Sequence, residues 1–179
     1  MYNIKTFQSI NEADKSKIKD IIKEIFFLST SKKSFDSLDH KEEFFNKWCG
    51  DYLRVYPQFF FLVFNLDEKC LGYLSGALNT NESLKLLRVP GVNHFIHLYD
   101  KFPAHLHINF HPDARGQGLG SILVKHYLDY LKSQGVFGCH LITSPDALNV
   151  SFYQRLGFVH TEVYSTQHMD LLFMGRLSE

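Results

Sequence analysis

The sequence predicts an α/β (α+β) fold in a single domain spanning residues 1–179, and two patterns carry the prediction. Apolar runs of strand length at 59–66, 70–78, 104–110, 136–142, 158–164 and 168–175 share the chain with helical stripes at 119–131 and 149–156. Glycines stand where those stripes stop, at Gly135 and Gly157.

The elements follow in order. Asn3 to Phe7 alternates as a short strand, and Asn11 stands where a helix cap would, before Ile18, Ile21, Ile22, Ile25 and Phe26 at helical spacing. Asp39 with Glu42 forms a capping-box pattern that opens a second helix, with Phe44, Phe45 and Trp48 on its inner face. Phe59 to Leu66 and Cys70 to Leu78 flank Asp67-Glu-Lys69 as a hairpin. Ala104 to Phe110 is a strand, and Leu119, Ile122, Leu123, Tyr127, Tyr130 and Leu131 form a helical stripe. Val136 to Ile142, a short helix from Asn149 to Leu156, and two closing strands complete the chain.

Composition narrows the function. Hydrophobic residues make up 45% of the 179, including 17 phenylalanines, which favours a packed globule over disorder. A formal net charge of zero supplies no electrostatic reason to bind nucleic acid or an anionic membrane. A small ligand is the expected partner. Cys49, Cys70 and Cys139 fit neither a disulfide framework nor a zinc pattern. The N-terminus has no leader-like pattern, and the longest apolar run, Phe59 to Phe64, is too short to span a bilayer. The expectation is a soluble cytoplasmic protein, monomeric or homodimeric.

The most informative stretch is His111-Pro-Asp-Ala-Arg115-Gly-Gln-Gly-Leu-Gly-Ser121, where strand gives way to helix. Glycine admits positive φ and close approach, so successive N–H groups can converge on an anion, and the following helix adds its unpaired N-terminal donors. It is not a P-loop, because no Gly-Lys-Ser/Thr follows, and its spacing is wrong for the dinucleotide fingerprint. An ordinary glycine-rich tight turn would read the same way locally.

A second element lies about thirty residues downstream: Asn149-Val-Ser-Phe-Tyr153-Gln-Arg-Leu-Gly157-Phe158. Together, in this order, the two resemble the GNAT superfamily of acetyl-CoA-dependent N-acetyltransferases. The resemblance is full from Pro103 to Tyr164 and weaker over the hairpin at 59–78. It implies a central mixed, mostly antiparallel sheet of about seven strands flanked by about four helices and splayed at the fourth and fifth strands. It further implies that the main chain of Ile108 and Phe110 receives the pantetheine arm. The amides of Arg115, Gly116, Gln117, Gly118, Leu119, Gly120 and Ser121 would hold the pyrophosphate, and Asn149 would contact the arm. Tyr153 matches the family's general acid, placed to protonate the departing thiolate or stabilise its charge. The competing reading of Tyr153 is a core ring whose hydroxyl finds a neighbour.

The acceptor side is less defined. An ammonium with pKa near ~10.4 must lose a proton before it attacks, and His105-Leu-His107 supplies two imidazoles on one side of a strand. A similar His-Leu-His serves as a proton path in arylalkylamine N-acetyltransferases, one residue further from the glycine loop. Two readings stand: a catalytic pair, or a pair on the sheet's far face. His94, His97, His105, His107 and His111 lack the partners of a zinc set, so no metal is expected. Residues 79–102 are too apolar for a solvated linker, and the expectation is a segment that covers the acceptor side of the cleft and helps choose the substrate. The function read from all this is an N-acetyltransferase acting on a primary amine. The alternative is a catalytically inactive binding module on the same fold.

Overall fold

The computed structural model describes residues 2–30, 32–89 and 91–178. They form two compact units, Met1–Gly76 with His107–Tyr127, and Ala77–Leu106 with Leu128–Glu179.

In the first unit β1 (Tyr2–Thr6), β2 (Phe60–Asn65) and β3 (Cys70–Ala77) pair antiparallel in that order, and the later part of β4 (Ala104–Phe110) follows β3. Phe60 to Phe64 are all buried, because neighbouring residues of β2 feed opposite faces that are both covered. Phe60 meets the rings of Phe7 and Tyr73, whereas Phe61 meets Tyr127. Gly72 of β3 lies so close to the Phe110 ring that a Cβ would fall 2.3 Å from it. Only glycine lets that ring lie against the strand.

Helix α1 (Glu12–Ser29) buries Ile18, Ile22, Ile25 and Phe26 of the predicted stripe, with Ile21 half-buried at its edge. Asn11 precedes it but makes no side-chain cap bond. Helix α2 (Leu38–Phe45) starts directly after its cap, Ser37, whose Oγ accepts from the His40 amide at 3.1 Å, so Asp39 is inside the helix rather than its cap. Glu42 is not turned back to the helix start, because Lys23 of α1 pairs with it. A π-helical turn (Asn46–Gly50) and helix α3 (Asp51–Val55) continue the rod.

The second unit holds the start of β4, then β5 (Gly138–Thr143), β7 (Asp170–Leu177) and β6 (His160–Ser165) in spatial order. β4 and β5 run parallel, with rungs at Ala104–Cys139 and His105–His140, the opening residues of both strands. β5 with β7 and β6 with β7 are antiparallel. Because β4 contributes to both units, the strands make one mixed seven-stranded sheet, β1-β2-β3-β4-β5-β7-β6. Within residues 79–102, α4 (Thr80–Ser83) and a 3-10 stretch (Val92–Leu98) fold into the core of this unit. Val92, Phe95, Tyr99 and Phe102 cluster there with Phe173. Of the apolar residues of this segment, Leu87, Val92, Phe95, Tyr99 and Phe102 are buried and Leu84, Val89 and Leu98 are partly buried against this cluster, whereas Leu86 and Ile96 are exposed.

Helix α5 (Leu119–Ser133) and helix α6 (Val150–Arg155) end where glycine takes positive φ, at Gly135 and Gly157. All three cysteines are free and buried, and burial pushes the Cys70 thiol up to about 12 and those of Cys49 and Cys139 higher still. No described helix is long and apolar enough to cross a membrane. Among the described residues no group of three or more His, Cys, Asp or Glu is arranged to hold a metal ion.

Candidate functional site

In the first unit the glycine loop hangs from the end of β4. His111 N donates to the Leu71 carbonyl at 2.9 Å, a 3-10 turn (Pro112–Ala114) follows, and Gly116 and Gly118 both adopt left-handed backbone, φ 74° and 77°. A Cβ on either would meet nothing within 4 Å, so what demands glycine is φ, with open space beside it. Ile122 N to Gly118 O is the first helical bond of α5. Among the described residues the amides of Gly116, Gln117, Gly118, Leu119, Gly120 and Ser121 make no hydrogen bond, which leaves a run of donors at the helix start. The loop is pinned by its side chains: Arg115 donates from Nε to Phe110 O and from Nη2 to Ser29 Oγ, and Gln117 Nε2 donates to Asp113 O.

His107 also belongs to this unit. Its ring lies 5.7 Å from Trp48, 6.1 Å from Tyr73 and 6.5 Å from Phe26, centroid to centroid. Nδ1 is buried with no hydrogen-bond partner, and Nε2 lies 3.4 Å from Asn109 Nδ2. Burial pulls the ring's pKa down to about 4, so it is neutral at pH 7. Ile108 and Phe110 lie beside it on β4, both half-buried.

The second unit holds His105, Asn149 and Tyr153. His105 is buried, with Nδ1 2.9 Å from Thr80 Oγ1, whose hydroxyl donates to Pro103 O at 2.8 Å. Thr80 therefore accepts from His105, and the proton of neutral His105 sits on Nδ1. Asn149 is the residue before α6 and accepts from Thr143 Oγ1 through Oδ1 at 3.3 Å. Tyr153 is 5% exposed, with its ring against Phe152 and Phe158. Among the described residues nothing hydrogen-bonds its hydroxyl, and burial, with Cys139 nearby, raises its pKa well above the usual phenol value. Tyr153 faces the Cys139 side of β5 and His105 packs toward His140, whose ring is 5.9 Å away. Cys139 and His140 are adjacent on a strand, so Tyr153 and His105 lie on opposite faces of it.

A glycine loop of this shape, at the mouth of a helix that follows the fourth strand, is matched by sequence. The profile of the Acetyltransferase (GNAT) family covers residues 17–158. The chain belongs to this family. A relative, the uncharacterized N-acetyltransferase MJ1207 of Methanocaldococcus jannaschii, is 24% identical over 164 residues, 91% of this chain and 66% of that protein's length. Two solved structures share the fold. SsHAT superposes with TM-score 0.74 at 18% identity, over 99% of this chain and 98% of its own. The PaiA N-acetyltransferase of Thermoplasma acidophilum, solved in complex with coenzyme A, does so with TM-score 0.60 at 15% identity, over 99% of each chain.

Around the GNAT motifs, several residues escaped the sequence. Ser29 and Thr80 carry no motif and matter through long-range partners, the Arg115 guanidinium and the His105 ring. Asn109 was findable, since it shares the face of β4 with His107 by strand alternation. Tyr73 has no sequence signal linking it to Asn109, 36 residues away.

Proposed function

We propose that this GNAT chain is an acetyl-CoA-dependent N-acetyltransferase for a primary amine, of the EC 2.3.1 type, working as one domain by direct attack in a ternary complex. The observation that carries the reading is the run of unpaired amides from Gly116 to Ser121 at the start of α5, a donor set that suits a pyrophosphate. The coenzyme A in the related Thermoplasma structure supports the same ligand. In this reading the main chain of Ile108 and Phe110, with Asn149, receives the pantetheine arm.

The amine nitrogen attacks the thioester carbonyl, the new C–N bond forms, and the C–S bond breaks to release a thiolate. Tyr153 meets that sulfur as a neutral phenol. Its raised pKa lies above that of a thiol, about 8.5, so full proton transfer is uphill and the phenol serves chiefly as a hydrogen-bond donor to the developing charge. His105 and His107 share the face of β4 opposite Tyr153, as in the far-face reading of the pair, so in this mechanism the acceptor's proton leaves to water in the cleft.

Acetyl-CoA should raise the melting temperature, and thiol release should depend on an added amine, with the product 42 Da heavier by an acetyl group, roughly, in an unbiased acceptor screen. No melting shift and no amine-dependent thiol release would overturn the reading.

A further inference from the structure

We propose that Asn109 is a positioning residue: held by the Tyr73 hydroxyl, its side-chain amide fixes His107 as the neutral tautomer that carries its proton on Nδ1. The inference rests on the N-acetyltransferase reading only for its functional meaning, not for its geometry.

Four residues form a hydrogen-bonded chain, Tyr73 and Cys49 buried and His107 and Asn109 half-buried. Asn109 Nδ2 donates to Tyr73 Oη at 2.8 Å. Tyr73 also hydrogen-bonds Cys49. The hydroxyl keeps its proton, because burial raises its pKa, and that proton goes to the Cys49 sulfur. Asn109 Nδ2 also lies 3.4 Å from His107 Nε2, and its hydrogen not spent on Tyr73 is available to that nitrogen. An imidazole nitrogen that accepts is unprotonated, so the ring proton sits on Nδ1. That N–H is buried among the rings of Phe26, Trp48 and Tyr73 and has no protein acceptor among the described residues.

The titratable groups facing His107 from the packed elements are Tyr73 on β3 and, through it, Cys49 on the π-helical turn, with Lys19 of α1 acting on Cys49. None places a carboxylate against the ring. So nothing offsets burial, and His107 stays a donor rather than becoming an imidazolium. In the proposed reaction it therefore takes no proton from the acceptor, and proton removal belongs to another group. Replacing the amide by a carboxylate should invert this, because a carboxylate would accept from Nε2–H and hold the charged ring.

The test is long-range proton–nitrogen correlation NMR of the full chain with 15N-labelled histidine, His107 being assigned by its loss in His107→Gln. The expected wild-type pattern is a protonated Nδ1, a bare Nε2, and no titration between pH 8 and about pH 5. Asn109→Asp should raise the His107 midpoint by at least about one pH unit and add a matching ionisation to the pH profile of kcat/KM. Tyr73→Phe, which releases the amide, should mix the two tautomers. A wild-type ring protonated on Nε2, with the amide oxygen turned toward it, overturns the proposal, as does a midpoint that Asn109→Asp leaves in place. The spectrum needs no substrate, so an inactive chain with the expected tautomer would sink the acetyltransferase reading and leave the positioning role standing.

Discussion

Arg115 reaches back over the turn that it ends and donates from Nε to the carbonyl of Phe110, the last residue of β4, at 3.2 Å. The same guanidinium donates from Nη2 to Ser29 Oγ at 3.0 Å, at the C-terminus of α1. The start of the glycine loop is therefore tied both to the strand it leaves and to the end of α1.

Removing that tie should loosen the loop without touching the chemistry. Arg115→Ala is expected to weaken acetyl-CoA binding by roughly fivefold, about 1 kcal/mol for exposed charge-assisted bonds, with kcat kept. Calorimetric titration beside steady-state kinetics measures both, and an unchanged affinity would show that the guanidinium does not shape the binding loop.

Gly118 separates backbone strain from charge. Its φ of 77° costs an alanine about 1–2 kcal/mol, and the open space around it admits the methyl, so Gly118→Ala should fold and keep a diminished melting shift with acetyl-CoA. Gly118→Asp adds a negative charge beside the unpaired amides and should lose the shift altogether. An undiminished shift in the aspartate variant would place the phosphates elsewhere.

Tyr153→Phe keeps the ring contacts with Phe152 and Phe158 and deletes only the hydroxyl. The expected result is a drop in kcat on the order of a hundredfold with acetyl-CoA affinity retained. Wild-type turnover in this variant would return the residue to a packing role.

Two neutral buried histidines make the fold acid-sensitive. His107 and His140 are both held near pKa 4 by burial, against about 6.5 in an unfolded chain. Below pH 6.5 the unfolded chain binds more protons than the folded one, so stability is full above that pH and falls as pH drops toward 4. The loss is on the order of 3 kcal/mol per histidine at its limit. His140 stacks between Tyr99 and Phe173 at 4.9 and 4.8 Å, so His140→Phe should keep the stack and flatten the slope. Urea melts at pH 7 and pH 4.5 compare the two proteins, and equal slopes would reject the assignment to His140.

Much of the fold was legible because strand and helix periods are local. The β4 limits Ala104–Phe110 and the stop of α5 before Gly135 were read from the residues themselves. Caps were read less well: Asp39 and Glu42 have capping-box spacing, yet Ser37 holds the helix start and Lys23 takes Glu42, a partner 19 residues away that no local pattern contains. The start of β5 moved from Val136 to Gly138 because Val136 N closes the preceding helix on Leu131 O. The glycine loop was visible because φ demands leave glycines in the sequence. The partners that orient His105 and His107 were not, since Thr80 and Asn109 are ordinary polar residues until the chain folds.

The three shut-in thiols have a practical side. Cys49, Cys70 and Cys139 are the only cysteines of the chain, and each is buried and held in its protonated form. A dye that reports free thiolate reacts slowly with such groups in the native protein. The folded chain is thus nearly silent in a colorimetric readout of liberated coenzyme, and colour that develops before acetyl-CoA is added marks unfolding. One cysteine engineered onto the surface would be a unique attachment point for a probe.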